Sequence, residues 1–229
     1  MHIPDAVTPW TRMEARNTLR STQRSFVPEK PGARIRSFVA IDVTAPVRAG
    51  LAGMQAELAR TPADVRWVRS GGIHVTLKFL GPVEAELLSR VHTAVAAALT
   101  DQVALRIAIR GLGAFPSWRR PRVLWVGMHG SGLVELAGRV DDAVAALGFA
   151  REQRAFTPHL TLGRVNSMRG WASLEPQLKT HLEDDFGDSA VDAVTIYRST
   201  LLRGGAVYDA LWTIPLRQHK EGTTHDHGR

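Results

Sequence analysis

Apolar residues recur at helical spacing in three segments of this chain. Positions three and four residues apart lie on one side of a helix, so this spacing predicts amphipathic helices that cover a core. The apolar faces consist of Val47, Leu51, Met54 and Leu58 in the first segment, of Leu87, Leu88, Val91, Val95 and Leu99 in the second, and of Leu133, Leu136, Val140, Val144 and Leu147 in the third. A further short helix is predicted near residues 172–183.

Between these helices the pattern is that of strands. Apolar residues at 103, 105, 107 and 109 alternate with other residues, which is typical of a strand with one buried face. Shorter apolar runs rich in β-branched residues predict further strands, namely RSFVAIDV, VRWV, IHVTLKFL, PRVLWVGM and HLTLGRV. Two closing strands are predicted near 190–202 and 206–216. The order of strands and helices is roughly repeated, which predicts an α+β protein of two related lobes, with open sheets covered by helices.

Composition and charge separate a central domain from two tails. Residues 1–33 are polar and proline-bearing and predict a flexible basic extension, while 218–229 predict a flexible tail. The net charge of +7 lies largely towards the chain ends, with +4 in residues 1–36 and +1 in residues 217–229, because residues 37–216 hold 19 basic and 17 acidic side chains. The predicted two-lobed domain, 34–217, therefore lacks the charge for a broad duplex-binding face. The absence of cysteine fits a cytoplasmic location, and no apolar run reaches the ~18 residues that span a bilayer.

A His-x-Thr-Leu motif occurs twice, each time within a strand-like run. The first copy holds His74 and Thr76, and the second holds His159 and Thr161. Residues two apart in a strand share a face, so each motif is expected to display an imidazole beside a hydroxyl while its leucines face the core. By the same alternation, Lys78 is expected on the face of His74.

Two imidazoles and two hydroxyls suit attack at a phosphorus ester. One histidine can accept a proton from the nucleophile and the other can give one to the leaving oxygen, since the ordinary pKa of histidine lies near neutrality. The threonine hydroxyls can donate to the phosphoryl oxygens, where charge builds. Neither motif holds a carboxylate or a typical metal-ligand spacing, so we expect no metal and no cofactor. Spacing alone does not tell which histidine is the acid.

The chain resembles the two-histidine phosphoesterase superfamily, and within it the RNA 2′,3′-cyclic phosphodiesterases, also called 2′-5′ RNA ligases. The resemblance runs from about Arg36 to Leu216 and rests on VRWVRSGGIHVTLKFLG, PRVLWVGM, FTPHLTLGR and STLLRGGAVYDALWTIPL. It implies two pseudo-symmetric lobes of mostly antiparallel sheet, with helices on the outer faces and the active site in a groove between the lobes. It also implies hydrolysis of 2′,3′-cyclic phosphate RNA ends to 2′-phosphomonoesters. By the same resemblance His74 is the proton donor, His159 is the proton acceptor, and Thr76 and Thr161 hold the phosphate.

Five further residues are candidate substrate contacts. Lys78 can neutralise phosphate charge, the alternative being a solvated lysine at a strand end. Arg164 follows the second motif as in the family, although alternation points it away from His159. Phe115, Trp118 and Arg122 lie in FPSWRRPR, where an aromatic among cations can stack a base and hold the RNA backbone. The alternative for that segment is an exposed loop with a partly buried tryptophan.

Two other functions fit the same motifs. One is cleavage or joining of 2′-5′-linked oligonucleotides, or hydrolysis of small cyclic nucleotides. The other is a binding module for RNA ends without turnover, which two proton-transfer groups disfavour. We expect a monomer whose partners are RNA 3′ ends or small cyclic nucleotides and not a membrane.

Overall fold

The computed structural model describes residues 32–203 and 205–218. Within them lie four helices, α1 (Ala45–Leu58), α2 (Ala85–Ala98), α3 (Leu133–Ala145) and α4 (Trp171–Thr180). The strands are β1 (Arg34–Asp42), β2 (Val65–Trp67), β3 (His74–Glu84), β4 (Leu105–Phe115), β5 (Val123–His129), β6 (His159–Val165), β7 (Asp185–Val191), β8 (Ala193–Leu202) and β9 (Gly205–Pro215). The predicted flexible extension and tail lie almost entirely outside the described residues.

The strands form two antiparallel sheets, and each sheet carries one His-x-Thr-Leu motif. The first sheet has the order β3-β1-β8-β9 and contains His74 at the start of β3. The second has the order β2-β6-β5-β4-β7 and contains His159 at the start of β6. Cα atoms of β3 and β6 approach within 8 Å of each other, so the two motif strands are neighbours although they belong to different sheets. The predicted α+β class, with two antiparallel sheets and helices, is confirmed.

The helical periodicity identifies the buried faces correctly. Val47, Leu51, Met54 and Leu58 of α1 are buried, as are the apolar positions of α2 and α3 at Leu88, Val91, Val95, Leu136, Val140 and Val144. These side chains join one continuous core with the inner faces of both sheets. One strand, β7, was not predicted. Its sequence, DFGDSAV, has few apolar residues, and it forms by pairing with β4 at the edge of the second sheet.

Each motif strand contains a β-bulge at the leucine of its motif. In β3, Ala40 pairs with Thr76 and Val39 pairs with Lys78, so Leu77 is the extra residue. In β6, Trp125 pairs with Thr161 and Leu124 pairs with Gly163, so Leu162 is the extra residue. A bulge places two residues opposite one and thereby reverses the alternation beyond it. The faces of the residues directly after each motif are therefore opposite to those expected from a regular strand, up to a second register shift in β3 at Leu80.

No helix among residues 32–203 and 205–218 is long and apolar enough to cross a membrane.

Candidate active site

The bulge in β3 turns Lys78 away from the face of His74. Lys78 is buried, and its Nζ donates hydrogen bonds to Asp141 Oδ1 of α3 at 2.5 Å and to the Ala150 carbonyl at 2.6 Å. The expectation that Lys78 shares the face of His74 is therefore wrong, because that expectation assumed a regular strand. Its charge holds α3 and the segment after it against the first sheet. Phe79 takes the outward position instead and is 66% exposed.

The bulge in β6 has the opposite consequence for Arg164. Beyond Leu162, Gly163 and Val165 are buried and Arg164 is exposed, on the face that also carries His159 and Thr161. Gly163 fits the inward position because a Cβ there would lie 2.8 Å from Val65 Cγ1 and 3.0 Å from the Trp67 ring. Arg164 therefore faces outward for the same reason that Lys78 faces inward, because each strand is bulged at the leucine of its motif.

His74 lies in an aromatic cluster built from the other strands of its sheet. The Phe38 ring of β1 stacks on the imidazole with ring centroids 4.7 Å apart, and the edge-on Tyr208 ring of β9 is 4.9 Å away. Tyr197 of β8 is nearly parallel to both rings, with its centroid 5.3 Å from that of Phe38 and 6.0 Å from that of the imidazole. These rings fix the plane of the imidazole and remove water from it.

The surroundings of His74 favour its neutral form. Burial lowers the pKa of His74 to about 4, and the Arg48 guanidinium acts in the same direction. The Asp42 carboxylate and a hydrogen bond to the Gly72 backbone act against this shift and raise the pKa. At neutral pH the imidazole is therefore uncharged in the unliganded protein, so a role as proton donor requires a further negative charge nearby.

Asp42 is the anchor of a small polar network beside His74. It pairs with His74 in the β1–β3 ladder. Its carboxylate accepts a hydrogen bond from the Tyr197 hydroxyl at 2.5 Å and one from Arg48 Nη2 at 3.3 Å. Burial raises the pKa of Tyr197, and the hydrogen bond to Asp42 raises it further, so the hydroxyl stays protonated and donates. Asp42 and Tyr197 were not predicted as site residues, since they lie on strands far apart in sequence.

His159 is held in one tautomer by its own backbone. Its Nδ1 is 2.7 Å from the Thr157 carbonyl, which can only accept, so Nδ1 carries the proton and Nε2 presents a lone pair. The residue that accepts this hydrogen bond, Thr157, lies two positions before His159, as Gly72, the backbone partner of His74, lies two positions before that histidine. The two motifs therefore share a second local feature in addition to the bulge.

Two aromatic side chains flank His159. Phe115 at the end of β4 meets the imidazole edge-on with centroids 5.0 Å apart, and Trp125 of β5 lies 6.3 Å away. Gly113 makes room for the indole, because a Cβ there would lie only 2.0 Å from the Trp125 ring. Phe115 is thus placed beside the second motif. Trp125 was not predicted, although its register position opposite Thr161 makes it a direct neighbour.

The remaining predicted contacts, Trp118 and Arg122, lie in the segment between β4 and β5. Arg122 is exposed next to β5, and its carbonyl accepts a hydrogen bond from the Val165 amide at 3.0 Å. Trp118 is partly buried and packs against the core, as the loop alternative expects. Thr76 and Thr161 are partly exposed, each two residues beyond its histidine. The four motif residues thus lie on the outward faces of β3 and β6, two neighbouring strands of different sheets.

Comparison with known proteins places this chain in a family. The model of the LigT-like phosphoesterases matches residues 41–125 and 127–208, which include both motifs. The chain belongs to the LigT-like phosphoesterase family.

Individual proteins are similar to this chain in sequence and in fold over most of their length. A Methanocaldococcus jannaschii protein named RNA 2′,3′-cyclic phosphodiesterase is 30% identical over 177 residues, which are 77% of this chain and 98% of that protein. Among solved structures, TT0787 of Thermus thermophilus is similar with a TM-score of 0.69 and 25% identity, over 81% of this chain and 100% of that chain. Escherichia coli LigT complexed with 3′-AMP gives a TM-score of 0.65 and 28% identity, over 80% of this chain and 98% of that chain.

Proposed function

We propose that this protein hydrolyses RNA 2′,3′-cyclic phosphate ends to 2′-phosphomonoesters, with His74 as general acid and His159 as general base and with no metal ion. The observation that carries the proposal is the pair of motif strands. Each presents an imidazole and a threonine hydroxyl on its outward face, and the two strands are neighbours. The names of the relatives agree with this activity.

The geometry at His159 suits a base. With Nδ1–H bound to the Thr157 carbonyl, Nε2 is free to accept a proton from water as its oxygen bonds to phosphorus. The bond from phosphorus to O3′ then breaks, and O3′ takes a proton from His74. Thr76, Thr161 and Arg164 donate to the phosphoryl oxygens that gain charge. The products are a 2′-phosphomonoester and a free 3′ hydroxyl.

His74 acquires its proton when substrate binds. The cyclic phosphate carries a negative charge, and an anion beside an imidazole raises its pKa. Asp42 already acts in that direction. Substrate binding thus changes a neutral, stacked imidazole into the imidazolium that an acid must be, so catalytic protonation is confined to the occupied site.

An exposed aromatic and an exposed cation give the site two different sides. Phe79 offers its ring on the side of the first motif, where a base can stack, and Arg164 offers its guanidinium on the side of the second. Phe115 lines the second side next to His159. This arrangement suits a nucleotide end, which has a flat base and an anionic phosphate.

The test is incubation of an oligoribonucleotide ending in a 2′,3′-cyclic phosphate, with EDTA present throughout. We expect turnover to continue and the product to be the 2′-phosphomonoester. A 3′-phosphomonoester would reverse the assignment of the leaving oxygen. Loss of activity in EDTA and its return with a divalent ion would replace the proposal with metal-assisted hydrolysis. Turnover of a 2′-5′-linked oligonucleotide at a higher rate would favour that alternative substrate.

A further inference from the structure

Arg66 lies directly opposite Arg164 on the neighbouring edge strand. The two residues are register partners in the β2–β6 ladder, and both are exposed. Directly opposite residues on antiparallel strands share a face and have Cβ atoms about 5 Å apart, where two like charges repel. Within residues 32–203 and 205–218 neither arginine has an ion pair with an acid. An anion bound between two such cations would relieve their repulsion.

A basic depression lies at the same end of β6. It has a volume of about 300 Å³ and is lined by Arg120, Pro121, Arg122, Val165, Asn166, Ser167 and Met168. Val165 pairs with Val65 of β2, so the depression begins one ladder position from the arginine pair. One carboxylate is close, that of Asp64. It accepts hydrogen bonds from Asn166 Nδ2 at 3.0 Å and from Ser167 Oγ at 2.7 Å, so its charge is already partly bound.

The end of β6 that carries Arg164 is separate from the end that carries His159, where the proposed proton transfer takes place. Arg164 is five residues along β6 from His159, and Leu162 is a bulge, so the Cα atoms are roughly 13 Å apart at about 3.3 Å per residue. Arg66 lies one strand farther out. Arg164 can extend towards the terminal phosphate, but a group bound by Arg66 and Arg120 is a different phosphate of the same chain.

We infer that Arg66, together with the depression lined by Arg120, binds a phosphodiester upstream of the 3′-terminal nucleotide. The inference rests on the proposed function, because it takes the RNA end to lie between the two motifs. The chain upstream of the terminal nucleotide then leaves the site along the outer end of β6, over β2 and the 120–122 segment. A cyclic mononucleotide has no such phosphate and gains nothing from these cations.

The test compares two substrates in two variants and a control. The substrates are a short oligoribonucleotide ending in a 2′,3′-cyclic phosphate and 2′,3′-cyclic AMP. The variants are Arg66→Gln and Arg120→Gln, and the matched control is Arg90→Gln, an exposed arginine on α2. All three positions are exposed, so the fold is expected to tolerate the substitutions.

We expect Arg66→Gln to lower kcat/KM on the oligonucleotide roughly tenfold, as for removal of one charged hydrogen bond, with turnover of cyclic AMP within about twofold of wild type. The dependence of log kcat/KM on log salt should become shallower by about 0.7 for each phosphate that the variant no longer neutralises. Arg120→Gln should act in the same direction, and Arg90→Gln should resemble wild type on both substrates. Equal decreases on both substrates, or a result like that of Arg90→Gln, would overturn the inference.

A binding measurement separates this inference from the proposed function. Fluorescence anisotropy with a labelled oligoribonucleotide ending in a 2′-phosphate requires no turnover. If the wild type hydrolyses neither substrate, the proposed function fails. The upstream site still stands if Arg66→Gln weakens this binding about tenfold relative to Arg90→Gln, and falls if the two variants bind alike.

Discussion

Acid should destabilise this protein through His74. In the folded chain burial lowers the pKa of His74 to about 4, whereas an unfolded histidine titrates near 6.5. Between these values the unfolded state binds more protons than the folded state. The free energy of unfolding therefore falls as the pH drops through this window, and the full contribution is present only above about pH 6.5.

The size of the effect follows from the two pKa values. Each unit of difference corresponds to about 1.4 kcal/mol, so the shift from 6.5 to about 4 costs about 3 kcal/mol once the pH is below both values. At pH 5, which lies inside the window, the same relation gives about 2 kcal/mol relative to pH 8. A change of that size is a large share of the stability of an ordinary domain.

The assay is urea denaturation at several pH values between 5 and 8, followed by tryptophan fluorescence, for the wild type and His74→Gln. Glutamine can still donate to the Gly72 backbone but does not titrate. We expect the variant to be less stable at pH 8 and to recover about 2 kcal/mol relative to wild type at pH 5. His129→Gln, at an exposed position, serves as the control for the replacement of a histidine. An unchanged difference between wild type and His74→Gln across this range would refute the argument that burial keeps this imidazole neutral.

Four other substitutions test the site. In turnover assays, His74→Ala and His159→Ala should each lower kcat by about 10²–10⁴-fold. The loss in the double variant should be much smaller than the product of the two single losses, because the two groups act as a unit. Near wild-type turnover in either single variant would contradict the paired mechanism. Asp42→Asn should lower the pKa of His74 further, because a carboxylate that raises it is removed, and should shift the pH–rate profile to lower pH; NMR titration of the imidazole gives an independent value. Lys78→Met should lower the free energy of unfolding by about 3 kcal/mol, because it removes the cation that pairs with Asp141. Most of this loss should be recovered in the double variant Lys78→Met/Asp141→Leu, and kcat of the folded fraction should be unchanged. Loss of turnover without loss of stability would instead make Lys78 a substrate contact.

Elements that depend on local periodicity could be predicted from the sequence. The apolar faces of α1, α2 and α3 are set by spacing within one segment, and burial confirms them. The histidines and threonines could be proposed as site residues because the motif is repeated. Strand β7 could not be identified, since DFGDSAV has no apolar alternation and becomes a strand only by pairing with β4. The aromatic cluster at His74 could likewise not be predicted, because Phe38, Tyr197 and Tyr208 come together only through the order of strands in the sheet.

The faces of Lys78 and Arg164 were mispredicted for one physical reason. Alternation holds only while each residue has one partner across the ladder, and the bulges at Leu77 and Leu162 break that rule. Leucine at a bulge has no distinctive sequence signal, because its side chain is buried in either case. The inward position after each bulge is then filled in different ways. Lysine is accepted there only with Asp141 and the Ala150 carbonyl as partners.

Under the proposed function, the two bulges adapt a symmetric pair of motifs to an asymmetric substrate. Up to the threonine the strands are equivalent, which suits an acid and a base on opposite sides of one phosphorus. Beyond the bulge the outward residue is Phe79 on one strand and Arg164 on the other. An aromatic ring can receive a base and a guanidinium can receive a phosphate, so the two sides of the site differ as the parts of a nucleotide differ. Exchange of these two outward residues should therefore impair substrate binding more than proton transfer, and the ratio of changes in KM and kcat would measure it.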